Sequence, residues 1–134
     1  MQPVLRVFIA DDSALVRERV RAHLAEMENV KLAGQSASAP EAIAAIRQLR
    51  PDVAILDVRM PGGNGLRVLE AIKQDAAPPL IIVLTAFAYP QHRVKYLAAG
   101  ADYFFDKAAE FEQVFVVLKA VQETRSGQEA ESEA

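Results

Sequence analysis

Asp11-Asp12, Asp57 and Thr85 each close a short apolar run, and Lys107 lies just beyond another. Each has an ordinary explanation taken singly. Asp12-Ser13 can cap a helix, Asp57 can open a turn, Thr85 suits a strand and Lys107 a solvated surface. Brought together they ask for more. Three carboxylates packed closely repel, and raise each other's pKa, unless a cation sits among them. A hard divalent ion with oxygen ligands meets that need, and Mg²⁺ (with Mn²⁺ as the alternative) often bridges a carboxylate to a phosphoryl oxygen. Lys107 would add a second positive charge and Thr85 a hydroxyl donor. Such a set stabilises a phosphoryl group carried on a carboxylate.

The elements between these residues decide whether they meet. Val4–Ala10 is apolar and β-branched, and reads as a strand. Val53–Leu56 and Leu80–Leu84 are apolar at every position, as strands covered on both faces of a parallel sheet are. Val30–Ser36 is a weaker strand interrupted by Gly34, and Tyr103-Phe104-Phe105 a short aromatic one. Helical patterns alternate with them. Ser13–Met27 carries a stripe of Val16, Val20, Leu24 and Met27. Ser38-Ala39-Pro40-Glu41 has the form of a capping box and opens a helix with Ile43, Ile46 and Leu49 inward. Asn64 can cap a third helix with Leu66, Leu69 and Ile72. Pro90 begins a fourth with Val94, Leu97 and Ala98, closed by Gly100. A fifth runs from about Ala109 to Glu123. Five strand–helix units predict an α/β fold, a doubly wound (βα)5 three-layer sandwich of flavodoxin-like type with parallel strand order 2-1-3-4-5. Ligands of such sheets bind beyond the C-terminal ends of the strands, where the acids fall.

Composition bounds the function. The 134 residues are one domain's worth of chain, and 51% of them are hydrophobic, enough for a core. Net charge is −3 with pI about 5.4, which argues against a nucleic-acid groove. There is no cysteine, so no disulfide framework, thiolate metal site or cysteine nucleophile. No basic-then-apolar leader and no run long enough to span a membrane is present, and a cytoplasmic location is expected.

The chain resembles the receiver domain of two-component response regulators, of the stand-alone, chemotaxis-regulator-like kind. The resemblance covers residues 4–123 and is carried by Asp11-Asp12-Ser13, by Leu56-Asp57-Val58-Arg59-Met60-Pro61-Gly62-Gly63-Asn64-Gly65, by Thr85-Ala86, and by Gly100-Ala101-Asp102 leading to Lys107. It implies that Asp57 accepts a phosphoryl group from a phosphohistidine on a sensor histidine kinase or histidine phosphotransfer protein. It implies that Asp11, Asp12, Asp57 and the backbone carbonyl of Arg59 hold Mg²⁺. Thr85 would bond the phosphoryl oxygen and move toward it, Lys107 would pair with the phosphate, and small Ala86 would leave access to the aspartate. Phe104 would take the aromatic switch position and swing inward, reshaping the face of helix 4, strand 5 and helix 5. That face would be read by an unknown downstream protein or a second copy in a homodimer. The resemblance implies a stoichiometric switch with slow self-dephosphorylation, not an enzyme, and no direct contact with nucleic acid or membrane.

Several positions are particular to this chain. The family usually follows the lysine with a cis proline, whereas here Ala108 follows Lys107. A cis bond before a non-proline residue costs ~2.5–4 kcal/mol, so a trans bond is expected, with a shifted loop and Lys107 less firmly aimed. Arg59 and Phe87 occupy the two modulating positions beside the phosphoryl site. Phe87 is expected to shield the site from water, and Arg59 could bridge to a nearby acid. On helix 5, Phe111, Val114, Phe115, Leu118 and Val121 share an inward arc, Val116 points nearly opposite and Val117 lies at the margin. Val116 and Val117 are therefore candidate interface residues. His23 and His92 read as surface side chains without an acid nearby.

Residues 124–134 read as a polar, acidic tail, disordered or a frayed helix end, after a receiver domain at 1–123. That remainder holds no output module. Unless the sequence is a piece of a longer one, a stand-alone switch that signals by docking is expected. Two other classes are less well matched. A dehalogenase-like phosphatase would need a D-x-D motif after the first strand, where this chain has adjacent Asp11-Asp12. A receiver-like module that docks without phosphate would have no use for the full acid set.

Overall fold

The computed structural model describes residues 3–133, with side-chain surroundings through Arg125. Five parallel strands form the main sheet: β1 (Leu5–Ala10), β2 (Val30–Ser36), β3 (Val53–Leu56), β6 (Leu80–Thr85) and β7 (Tyr103–Asp106). A two-stranded antiparallel hairpin, β4 (Arg59–Met60) with β5 (Gly63–Asn64), follows β3. The sheet order β2-β1-β3-β6-β7 is the expected 2-1-3-4-5 once the hairpin is set aside. The hairpin itself was not foreseen. Pro61 and Gly62 turn it, and Gly62 has φ +78°, a conformation that favours glycine.

The central strands alternate between two cores. Phe8, Ala10, Ala54, Leu56, Ile81 and Val83 face α2 (Ala39–Leu49), α3 (Gly65–Lys73) and α4 (Pro90–Ala98). Leu5, Val7, Ile9, Val53, Ile55, Ile82 and Leu84 face α1 (Ala14–Ala25) and α5 (Phe111–Glu133). Successive strand residues point to opposite faces, so unbroken apolar runs fill both layers at once.

The helix ends match the sequence unevenly. Ser13 accepts the Val16 N–H at 3.2 Å and caps α1; Asn64 accepts the Arg67 N–H at 3.0 Å and caps α3. Ser38 sits at the start of α2, but its side chain makes no capping bond, so the expected box does not form. Instead the Ala39 N–H donates to the Pro61 carbonyl at 3.0 Å, which ties α2 to the hairpin turn.

Helix α4 corrects the reading of its face. Val94 is 69% exposed, Leu97 is 38% exposed and Ala98 is exposed, while Tyr96 is buried. The helix leans on the sheet through that one large ring, whose hydroxyl accepts the Leu66 N–H at 3.0 Å. Helix α5 continues past Glu123 to Glu133. The residues there are polar but mostly good helix formers, and the Arg125 guanidinium pairs with Asp52 at 3.0 Å. Val117 is buried with the α5 core, so of the two valines only Val116 stays outside.

Candidate functional site

Two adjacent parallel strands, β1 and β3, end at one edge and deliver the acids there. The Asp57 N–H donates to the Ala10 carbonyl at 3.0 Å and the Asp11 N–H to the Ser36 carbonyl at 3.1 Å, so each aspartate is fixed by the neighbouring strand. Asp11 is 2% exposed and Asp57 3%, while Asp12 faces solvent. One carboxylate oxygen from each of Asp11, Asp12 and Asp57 lies within 4.8 Å of the others. Gly65 sits hard against this loop: a Cβ there would run into the Asp57 carbonyl.

Lys107 is the shared cation. Its Nζ donates to Asp57 Oδ2 at 2.9 Å and lies 2.8 Å from Asp11 Oδ2. Asp57 Oδ1 accepts the Val58 N–H at 2.6 Å, and Asp11 Oδ1 accepts the Ser13 N–H at 2.9 Å. No described peptide bond is cis, so Lys107–Ala108 is trans as expected. Lys107 is nonetheless firmly aimed. Burial works against its charge, but hydrogen bonds to Asp11 and Asp57, and their charges, outweigh it and raise its pKa. Burial raises the Asp11 pKa, with the Asp57 charge adding to it and hydrogen bonds from Lys107 and Ser13 opposing it.

One ammonium among three carboxylates leaves a local excess of negative charge. Oxygen donors at this spacing suit a hard divalent cation.

Thr85 is fully buried at the end of β6, and its Oγ1 accepts the Phe87 N–H at 3.0 Å. That bond uses a lone pair and leaves the hydroxyl proton for another acceptor. Ala86 is exposed beside it. Phe104 is 3% exposed and already lies inward, 6.1 Å from the Tyr96 ring. The Arg59 guanidinium lies over the Phe87 ring at 3.9 Å, and among the described residues it forms no ion pair with an acid.

The sequence reading passed over several supporting residues. Arg17 Nη1 donates to the Asp11 carbonyl at 2.7 Å. Tyr96 ties α4 to the first turn of α3. Burial pushes its phenol pKa up, with the Asp57 and Glu70 charges adding to this and the Leu66 bond opposing. His92 Nδ1 is 2.8 Å from the Phe87 carbonyl. His23 stacks on Phe115 with centroids 3.6 Å apart, and its Nε2 is 3.8 Å from Glu112. Neither histidine is the bare surface side chain expected. Their partners are far along the chain or on backbone, and only the fold brings them together.

The comparisons with known proteins agree with this geometry. The response regulator receiver domain family matches residues 7–119. The transcriptional regulatory protein BtsR of Escherichia coli is 35% identical over 105 residues, 74% of this chain and 44% of that protein. The uncharacterized transcriptional regulatory protein YvfU of Bacillus subtilis is 32% identical over 111 residues, 83% of this chain and 56% of that protein. The chain thus spans about half the length of these curated relatives. The signal receiver domain of the putative response regulator NarL from Mycobacterium tuberculosis superposes with TM-score 0.82 at 28% identity, covering 92% of this chain and 99% of that one. The response regulator domain of Thermotoga maritima CheB gives TM-score 0.79 at 27% identity over 92% and 97%. Among the described residues no helix is long and apolar enough to cross a membrane. An acid cluster at the C-terminal edge of a 2-1-3-4-5 sheet, with its lysine and threonine in place, accompanies these matches: the chain belongs to the response regulator receiver domain family.

Proposed function

We propose that this chain is a phosphorylation-controlled switch in a two-component phosphorelay, with Asp57 as phosphoacceptor. The observation that carries the reading is the buried Asp57 carboxylate, held 2.9 Å from the Lys107 ammonium and clustered with Asp11 and Asp12. The donor is a phosphohistidine on a sensor kinase or phosphotransfer protein in the cytoplasm. An Asp57 oxygen forms the new O–P bond as the N–P bond breaks, and the electron pair leaves with the imidazole. Asp11, Asp12, Asp57 and the Arg59 carbonyl would hold Mg²⁺ or Mn²⁺, which when bound supplies positive charge to the phosphoryl oxygens. Lys107 exchanges part of its contact with the carboxylates for a phosphoryl oxygen, and the Thr85 hydroxyl donates to another. Exposed Ala86 leaves the approach open.

Movement of Thr85 alters its bond to Phe87 and the packing around Phe104. The output is read on the outer face of α4, β7 and α5, where Val94, Leu97, Tyr103 and Val116 are exposed apolar side chains. Either a downstream protein or a second copy covers that face. The Arg59–Phe87 stack joins the residues two beyond Asp57 and two beyond Thr85, and in this reading it limits the approach of hydrolytic water. Replacing Phe87 with Ala is expected to shorten the phosphoryl lifetime by several-fold, followed as loss of radiolabel from the isolated phosphoprotein.

Beryllofluoride, which mimics a phosphoryl group on a carboxylate, provides the direct test. Binding by calorimetry is expected only with Mg²⁺ present and only while Asp57 is intact. If binding persists in Asp57→Ala, or never occurs in the native chain, the switch reading is wrong.

A further inference from the structure

Lys107 belongs to the proposed site, yet no cis proline follows it to shape its loop. Its side chain is long and flexible, so aiming its ammonium at two carboxylates costs rotamer entropy, and a loose backbone would add its own ordering cost and blur the aim. The backbone here is fixed by two acids outside the phosphoacceptor cluster.

The Lys107 N–H donates to the Thr85 carbonyl at 2.9 Å, the last rung that joins it to β6. Beyond that rung the chain leaves the sheet. Asp106 Oδ1 then accepts the Ala108 N–H at 2.7 Å and the Ala109 N–H at 3.2 Å. Glu110 Oε1 reaches back to the Asp106 N–H at 3.1 Å, and the Glu110 N–H donates to the Asp106 carbonyl at 2.8 Å. These four hydrogen bonds close residues 106–110 into a turn from which the Lys107 side chain projects. Helix α5 starts immediately afterwards at Phe111, whose buried ring pins the far end of the turn.

We propose that Asp106 and Glu110 are positioning residues for Lys107, forming a carboxylate bracket that aims its ammonium at Asp57 and Asp11. The role rests on the phosphoacceptor reading for its purpose but not for its geometry. An Asn at position 106 keeps an oxygen that accepts both amides, whereas an Ala hands both to water and leaves the turn unpinned.

Two measurements test it on the full chain. The first uses no metal: acylation of Lys107 by an N-hydroxysuccinimide ester, followed by mass spectrometry. Lys107 of the native chain should react slowly because its Nζ is held by two carboxylates. Asp106→Ala should raise that rate at least about fivefold, with Asp106→Asn close to native. The second is beryllofluoride affinity with Mg²⁺. Asp106→Ala should weaken it about tenfold, as loss of an outer partner of a binding group does. In a Lys107→Ala background the same substitution should add nothing, because there is no ammonium left to aim.

Should Asp106→Ala fail to fold, Glu110→Ala removes a single side-chain bond and should raise acylation two- to threefold. An unchanged Lys107 acylation rate in both variants would overturn the bracket. So would an equal loss of beryllofluoride binding in Asp106→Ala and Asp106→Asn, or an undiminished effect of Asp106→Ala without Lys107. Absence of beryllofluoride binding by the native chain would instead overturn the phosphoacceptor reading, and the acylation result would still decide the bracket.

Discussion

The two ends of the sheet treat carboxylates in opposite ways. At the N-terminal end, Asp52 Oδ2 accepts the Arg6 N–H at 2.8 Å and meets Arg125 at 3.0 Å, with about a third of its side chain in solvent. Asp102 accepts the Ile81 N–H at 2.8 Å and lies 3.5 Å from Lys73. Each acid there has its own cation, a backbone donor and access to water. At the C-terminal end, Asp11 and Asp57 are nearly sealed from water and share one lysine, with Asp12 close by. Balanced, half-exposed pairs hold a fold together for modest gain. A buried surplus of one sign costs stability until something positive arrives. The contrast sets the acids that anchor the fold apart from the cluster proposed to act, without reference to any relative.

The contrast would break most visibly at Asp57. Asp57→Asn is expected to abolish phosphoryl uptake from a small phosphodonor, by more than a hundredfold, while Asp52→Ala leaves uptake within about twofold; both are read by radiolabel incorporation. Divalent ions give the next largest effect. Mg²⁺ at a hundred times its Kd should stabilise the native chain by about 2.7 kcal/mol in chemical denaturation, since only the folded state gathers the ligands. Asp57→Asn should lose most of that gain, yet be the more stable chain without metal, because one like charge is gone. Asp52→Ala should show the reverse pattern: an unaltered response to Mg²⁺, and a cost of about 1–2 kcal/mol from the lost bonds to Arg6 and Arg125.

The same contrast explains what could be read before the structure. The acids at the C-terminal edge were legible because each ends an apolar run, and the doubly wound rule sends such ends to one place. Strand β3 and the Leu80–Leu84 run of β6 were the most legible because burial on both faces leaves no polar position in them. Helix α4 was misread because its sequence carries an apolar stripe of Val94 and Leu97, whereas the sheet is met by Tyr96, an amphipathic ring whose hydroxyl finds a backbone amide. Periodicity cannot tell an inward stripe from an outward one when a helix has two. The Asp106–Glu110 bracket left no mark in the sequence because its partners are backbone amides, which every residue carries. A bridge from Arg59 to an acid was one option; the guanidinium instead lies on an aromatic ring, an alternative that residue types alone do not rank.

The smallest expected effect, and the one that sharpens the contrast most finely, is the dependence of stability on pH. Burial holds the Asp11 carboxyl above its ordinary value of 3.8, with the Asp57 charge adding to this against the hydrogen bonds from Lys107 and Ser13. A folded-state pKa above the unfolded one means that the folded chain binds the proton more tightly. The resulting stability is fully present below 3.8 and is lost as pH rises through the folded value. Without metal, this group should therefore make the chain less stable as pH climbs from about 4 through the acidic range. The slope should flatten in Asp11→Asn and persist in Asp52→Ala. Saturating Mg²⁺ should invert it, since the ion needs the carboxylates ionised and binds better as they lose protons. Denaturant midpoints measured across acidic pH, with and without Mg²⁺, give the answer directly. Metal-free and metal-loaded curves of the same slope would mean that Asp11 is an ordinary buried acid and that the surplus charge at this edge is not waiting for a cation.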